Sequence, residues 1–136
     1  MSIRLDVVGI AVRDMAASLS FYQLLGLDIR EVPEEEPHVE IVLEGFRLAW
    51  DKVEVLREVY DGWVEDPVGH RIELAFRCDS PGDVDATYDR MVGHGYRGHK
   101  QPWDAPWGQR YAVIEDPDGN LISLYASGAG SYADQK

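Results

Sequence analysis

The sequence predicts an α+β fold made of two βαβββ modules, whose strands form an open, cup-shaped mixed sheet with the helices on its outer face. Three observations carry this. The order strand, helix, three strands occurs twice along 136 residues, and an internal repeat constrains a fold strongly. The two helices carry matching segments, Ser18-Leu19-Ser20-Phe21-Tyr22 and Asp85-Ala86-Thr87-Tyr88. One helix for about four strands leaves one face of each sheet without helical cover, free to curve around something else.

The first module spans about residues 3–60. Residues 3–12 are β-rich and read as a strand. Asp14 reads as an N-cap, its carboxylate placed to accept a backbone N–H. A helix over 15–25 follows, with Leu19, Tyr22 and Leu25 on one face, and Gly26 stops it. Residues 28–32 read as a short strand and 33–37, with Glu34, Glu35 and Glu36 in a row, as a solvated loop. Val39 to Leu43 alternate with Glu40 and Glu44, the pattern of a half-exposed strand. Glu44-Gly45 turns the chain into a fourth strand over 46–51. On that strand Phe46, Leu48 and Trp50 share the parity that faces the helix, so Trp50 is assigned to the core. Val53, Leu56, Val59 and Tyr60 have helical spacing, which predicts a short helix over 52–60.

Residues 61–69, with Gly62, Pro67 and Gly69, form a linker in which Trp63 reads as a lid or a dimer contact. The second module, about 70–127, opens with a strand over 71–77. Ser80 caps a helix with Pro81 at its first position and Asp83 in its first turn. That helix runs to about Val92, with Val84, Tyr88 and Met91 on one face and Gly93 and Gly95 at its end. A short strand over 96–99 and a loop over 100–109 follow. The module closes on a hairpin: two apolar runs flank Asp116-Pro117-Asp118-Gly119-Asn120, a cluster of turn formers. Trp107 stands just before it, between Pro106 and Gly108. A ring there either plugs a core or stacks on a flat ligand. Residues 1–127 thus read as a single domain, and 128–136 as a frayed tail.

Bulk properties narrow the function. The composition, 45% apolar, is that of a globular chain, and no apolar run reaches the roughly 18–20 residues of a membrane span. The start, Met-Ser-Ile-Arg-Leu-Asp, lacks a signal peptide's long apolar region, and the setting of the lone cysteine suits a reducing cytoplasm. A single cysteine, Cys78, excludes an intrachain disulfide and reads as buried and inert. Formal net charge is −12, which offers no broad attraction to nucleic acid or anionic lipid.

Two stretches resemble a known family. Val8-Gly9-Ile10-Ala11-Val12-Arg13-Asp14, continuing through Ser18, Phe21-Tyr22 and Leu25-Gly26-Leu27, is one; Pro106-Trp107-Gly108 followed by Asp116-Pro117-Asp118-Gly119-Asn120 is the other. Together they resemble the vicinal oxygen chelate superfamily, which includes glyoxalase, the bleomycin- and fosfomycin-resistance proteins and extradiol dioxygenases. The resemblance covers about residues 5–126. It implies a divalent metal held by His, Glu or Gln at four positions, occupied here by Val7, Ala49, Arg71 and Ser123. None is a usual ligand: Val and Ala have no donor atoms, and an arginine cation repels a metal. His70 lies one residue from the third position and needs a bulge to reach the cup, whereas Glu73 has the right parity. His38, His94 and His99 lack metal-like spacing and read as surface or capping residues. The carboxylate runs at 34–36 and 83–85 read as solvated faces.

With no metal or other cofactor expected, the resemblance points to the family's binding branch, whose antibiotic-resistance members sequester a planar or amphipathic drug. Such a site needs an apolar concavity, aromatic walls and a few polar anchors, and the chain has four Trp and seven Tyr. The expected ligand-binding residues are Arg47, Asp51, Arg71, Glu73, Trp103, Trp107, Tyr111, Val113, Ser123 and Tyr125, with Trp103 and Trp107 flanking a loop over the mouth. The partner is a small hydrophobic or aromatic molecule. The family habit and the open sheet edges point to a homodimer. Two other readings stand beside this one: a glyoxalase- or dioxygenase-type metalloenzyme with a non-standard site around His70 and Glu73, and a module that docks another protein and keeps its cup only as a vestige.

Overall fold

A computed structural model describes residues 4–31, 35–60, 65 and 72–128. The chain divides into two compact units, Met1–Val68 and Gly69–Lys136.

In the first unit, strand β1 (Val7–Val12) leads into helix α1 (Met15–Leu25), then β2 (His38–Val42), β3 (Arg47–Lys52) and a short helix α2 (Val53–Val59). The Asp14 carboxylate caps α1 by accepting the Ala17 N–H at 3.0 Å. Gly26 ends it at φ 129°, where its N–H reaches back to the Tyr22 and Gln23 carbonyls; a side chain is strained at such a φ. β3 is central, parallel to β1 and antiparallel to β2. The β2–β3 turn closes by Leu43 N–H donating to the Phe46 carbonyl at 2.8 Å. On one face Ile10, Val12, Leu48 and Trp50 are buried beneath α1 residues that include Leu19 and Tyr22. Trp50 has no exposed surface and its ring lies 5.5 Å from that of Tyr22, so its assignment to the core holds. Burying a side chain of that size stabilises by about 1.5–3 kcal/mol.

Of the strand expected over 28–32, the described residues 28–31 form none. The backbone bonds locally instead. Ile29 N–H donates to the Leu27 carbonyl at 2.8 Å, and its own carbonyl accepts from Gln23 Nε2 of α1 at 2.6 Å. Ile29 is buried, so the segment is pinned to its helix by an apolar anchor and a side-chain hydrogen bond, not by a ladder. Parts of the predicted loop (33–34), linker (61–64 and 66–69) and tail (129–136) lie outside the described residues, as do residue 32, Trp63, His70 and Arg71.

The second unit shows the complete module: β4 (Leu74–Arg77), α3 (Pro81–Gly93), β5 (Gly98–Asp104), β6 (Gln109–Glu115) and β7 (Leu121–Ser127). The strand order is β4-β7-β6-β5, against β1-β3-β2 in the first unit. β4, β6 and β7 therefore match β1, β2 and β3, and among the described residues no first-unit strand corresponds to the edge strand β5. Ser80 caps α3 through the Asp83 N–H at 3.2 Å, with Pro81 in the first turn. Val84 and Met91 of α3 are buried, as are Ala112, Ile114, Ile122 and Leu124 on the facing side of β6 and β7. The hairpin turn is tied by Asp116, whose carboxylate accepts the N–H groups of Asp118 (2.9 Å) and Asn120 (2.8 Å) and the Asn120 side chain (2.8 Å).

β5 corrects the expected short strand over 96–99 and loop over 100–109. Pro102 and Pro106 suggest a loop, but proline is tolerated on an edge strand or at a bulge, and β5 is both an edge strand and irregular. Its register against β6 shifts between Gly98 and Lys100 and again between Lys100 and Trp103.

Candidate functional site

The face of the second sheet turned away from α3 gathers most of the expected ligand-binding residues. Side chains alternate along a strand, so Tyr111 and Val113 of β6 and Ser123 and Tyr125 of β7 emerge together. The register pairs Tyr111 with Tyr125 and Val113 with Ser123. The β5 bulge adds Trp103. Positions 100 and 103 would point to opposite faces of a regular strand, yet Lys100 pairs with Val113 and Trp103 with Tyr111, and the Lys100 ammonium sits 4.0 Å over the Trp103 ring. An extra residue in one strand re-aims side chains in this way.

Four rings meet at one end of this face. Trp103 lies 5.5 Å from Tyr111 and 6.1 Å from Trp107, and Trp107 lies 5.7 Å from Tyr111, all nearly edge-on. Tyr125 stacks on Tyr111 at 6.4 Å. Trp107 is held by its own Nε1–H donating to Gln109 Oε1 at 2.8 Å. It stays 53% exposed, so it does not plug a core. Trp103 stands on a strand, a correction to its expected place beside a loop.

Next to the rings runs an open groove of about 540 Å³. Tyr111, Val113 and Ser123 form its floor, Glu73 stands on the β4 side, and His99 and Lys100 on the β5 side. His99 reads from the sequence as a surface or capping residue, and Lys100 carries no expected role. The only signal for Lys100 was its distance of three from Trp103, which becomes meaningful once the bulge is known. His94 does cap: its Nδ1–H donates to the Arg90 carbonyl at 2.8 Å. Cys78 is half-buried, and burial pushes its thiol pKa up, away from the thiolate a nucleophile needs.

The first unit's equivalent face carries Arg47 and Asp51, and both are engaged. Arg47 donates to Asp6 at 2.7 Å and to Glu40 at 2.8 Å. The two ring nitrogens of His38 meet the carboxylates of Asp51 at 2.5 Å and Glu40 at 3.0 Å. Strand pairing sets this up, because His38 lies opposite Asp51 and Glu40 opposite Ala49. Hydrogen bonds first to Asp51 and then to Glu40 raise the His38 pKa above 6.5. His38 and then Arg47 hold Glu40 below the usual carboxylate range, and Asp6 and then Glu40 raise Arg47. His38 is thus a charge-network residue, a role its isolated position in the sequence did not signal.

The described residues do not fit the family's metal. Val7 and Ala49 lie on the β1 and β3 faces that share parity with Arg47 but have no donor atoms, and Ser123 offers one hydroxyl. Among the described residues no three His, Cys, Asp or Glu side chains are grouped to hold an ion. No helix among the described residues is long and apolar enough to cross a membrane.

Two β-α-β units, each with a helix on one sheet face and a bare face opposite, define a small α+β protein. The model of the Glyoxalase/Bleomycin resistance protein/Dioxygenase superfamily matches residues 4–124, and the chain belongs to that superfamily. It is similar to YraH, an uncharacterized protein of Bacillus subtilis (strain 168), at 32% identity over 128 residues, covering 87% of this chain and 94% of YraH. The structure is similar to that of a glyoxalase/bleomycin resistance protein/dioxygenase family enzyme from Burkholderia phytofirmans PsJN, with TM-score 0.78, 20% identity, and coverage of 92% of this chain and 99% of that one. It is also similar to a glyoxalase/bleomycin resistance protein/dioxygenase from Nocardioides, with TM-score 0.74, 23% identity, and coverage of 96% and 87%. At those identities the two structures speak for the fold, and one fold hosts many chemistries.

Proposed function

We propose that this protein binds a small hydrophobic or aromatic molecule on the bare face of its second sheet, without a metal, and holds it without transforming it. The observation that carries this reading is Trp107: 53% exposed, yet fixed by a hydrogen bond to Gln109 and by edge contacts to Trp103 and Tyr111. An ordered, half-exposed ring beside a groove is preorganised for stacking, and aromatic pairs contribute about 0.5–1.5 kcal/mol beyond the area they bury. Absence of donor atoms at Val7 and Ala49 supports the metal-independent part. Sequestration of an antibiotic, in the manner of the superfamily's bleomycin-resistance members, is the role we assign, in a cytoplasmic homodimer.

The test is intrinsic tryptophan fluorescence, titrated with a panel of planar aromatic antibiotics and separately with Zn, Ni, Mn and Fe(II) salts. Saturable quenching by a drug is expected, weakened in Trp107→Ala and indifferent to chelators. A stoichiometric divalent ion in the purified protein, lost in His70→Ala, would overturn the reading in favour of a metalloenzyme.

A further inference from the structure

We propose that the groove selects an aromatic molecule of both charges, with its anionic group at the β5 wall and its cationic group at the β4 wall; this rests on the binding reading above. The two walls carry opposite charges. Lys100 on β5 has no carboxylate partner among the described residues, unlike Arg110 of the same sheet, which Asp85 holds at 2.9 Å. The Trp103 ring beneath its ammonium restrains it over the groove without neutralising it. His99 beside it lies 3.9 Å from Glu115, too far for a tight pair. Glu73, just before β4, has no ion-pair partner among the described residues and lines the groove from the other side.

The spacing follows from the topology. β4 and β5 are the two edges of the sheet, with β7 and β6 between them. Neighbouring strands lie about 4.7–4.9 Å apart, so the edge backbones are separated by about 14 Å. Lys and Glu side chains reaching inward leave room between their heads for a body one or two fused rings wide. The floor suits such a body: Val113 and the Tyr111 ring are largely apolar, and Ser123 and the Tyr111 phenol carry hydroxyls. A neutral ring would leave both heads to water. A singly charged one would satisfy one wall only. A molecule charged at both ends makes a charge-assisted hydrogen bond at each.

Four matched probes test this by calorimetric titration of the full chain: 6-(aminomethyl)-2-naphthoate, 2-naphthoate, 2-naphthylmethylamine and 2-naphthylmethanol. The doubly charged probe is expected to bind about tenfold tighter than either singly charged one. Lys100→Met should weaken the doubly charged probe and 2-naphthoate by about tenfold and leave the amine unchanged; Glu73→Gln should do the reverse. Both side chains are solvent-facing, so circular dichroism should show both variants folded. If 2-naphthylmethanol binds as tightly as the doubly charged probe and neither variant matters, the charge selection is refuted while aromatic binding survives. If none of the four binds, aromatic binding at this face and the charge selection built on it are both refuted.

Discussion

The two units share one plan and use its bare face differently. In both, a capped helix covers one side of a sheet whose first and last strands pair in parallel. On the other side the first unit builds a chain of charges, Asp6, Arg47, Glu40, His38 and Asp51. The second builds a cluster of rings, Trp103, Trp107, Tyr111 and Tyr125. The difference lies in the residues on the paired strands, Tyr111 and Tyr125 against His38, Glu40, Arg47 and Asp51, and in what the edge strand β5 adds. β5 brings Trp103 and, through a bulge, Lys100 to the face. Among the described residues the first unit shows no counterpart: residues 27–31 bond to themselves and to α1. A duplicated module thus keeps its covered face and diverges on its bare one, since packing constrains the first and only chemistry constrains the second.

The largest effects are expected on the covered faces, where the units are alike. Trp50→Ala should cost about 3–5 kcal/mol and Leu124→Ala about 2–5 kcal/mol, read from urea denaturation. A loss below about 1 kcal/mol for Trp50 would mean it is not the core of the first unit. Next comes the turn that shapes the second unit's hairpin. Asp116→Ala removes a buried carboxylate that accepts three hydrogen bonds, and should cost about 1.5–3 kcal/mol.

The bare faces should then separate. Trp107→Ala should leave the melting temperature nearly unchanged and weaken binding of a planar aromatic probe about tenfold, measured by titration. Arg47→Met should do the opposite: ligand affinity unchanged, and a small fall in melting temperature that shrinks as NaCl screens the network. Equal effects of the two substitutions on binding would erase the division of labour between the units.

The smallest effect is a pH dependence confined to the first unit. Asp51 and Glu40 raise the His38 pKa above its ordinary 6.5, so the charged ring stabilises the folded state. That contribution is complete below about pH 6.5 and is lost as pH rises through the higher folded value. Melting temperature should therefore fall slightly across that window in the wild type, and the slope should vanish in His38→Gln. An identical slope in the variant would assign it to another group.

Much of this was legible along the chain. The caps at Asp14 and Ser80, the stop at Gly26, the Asp116–Asn120 turn and the inward parity of Trp50 depend on neighbours a few residues away, and each is where the residues say. The shared face of Tyr111, Val113, Ser123 and Tyr125 follows from strand alternation across a hairpin whose register its own turn sets. Those short-range rules also specified the α+β class and the repeat. Only the tertiary structure decided the rest. A strand exists when it finds a partner: residues 27–31 found α1 instead, and the proline-bearing stretch 98–104 found β6. Likewise, whether Arg47 and Asp51 are free to meet a ligand turns on Asp6, Glu40 and His38, brought alongside by strand pairing between distant segments, which no local pattern encodes.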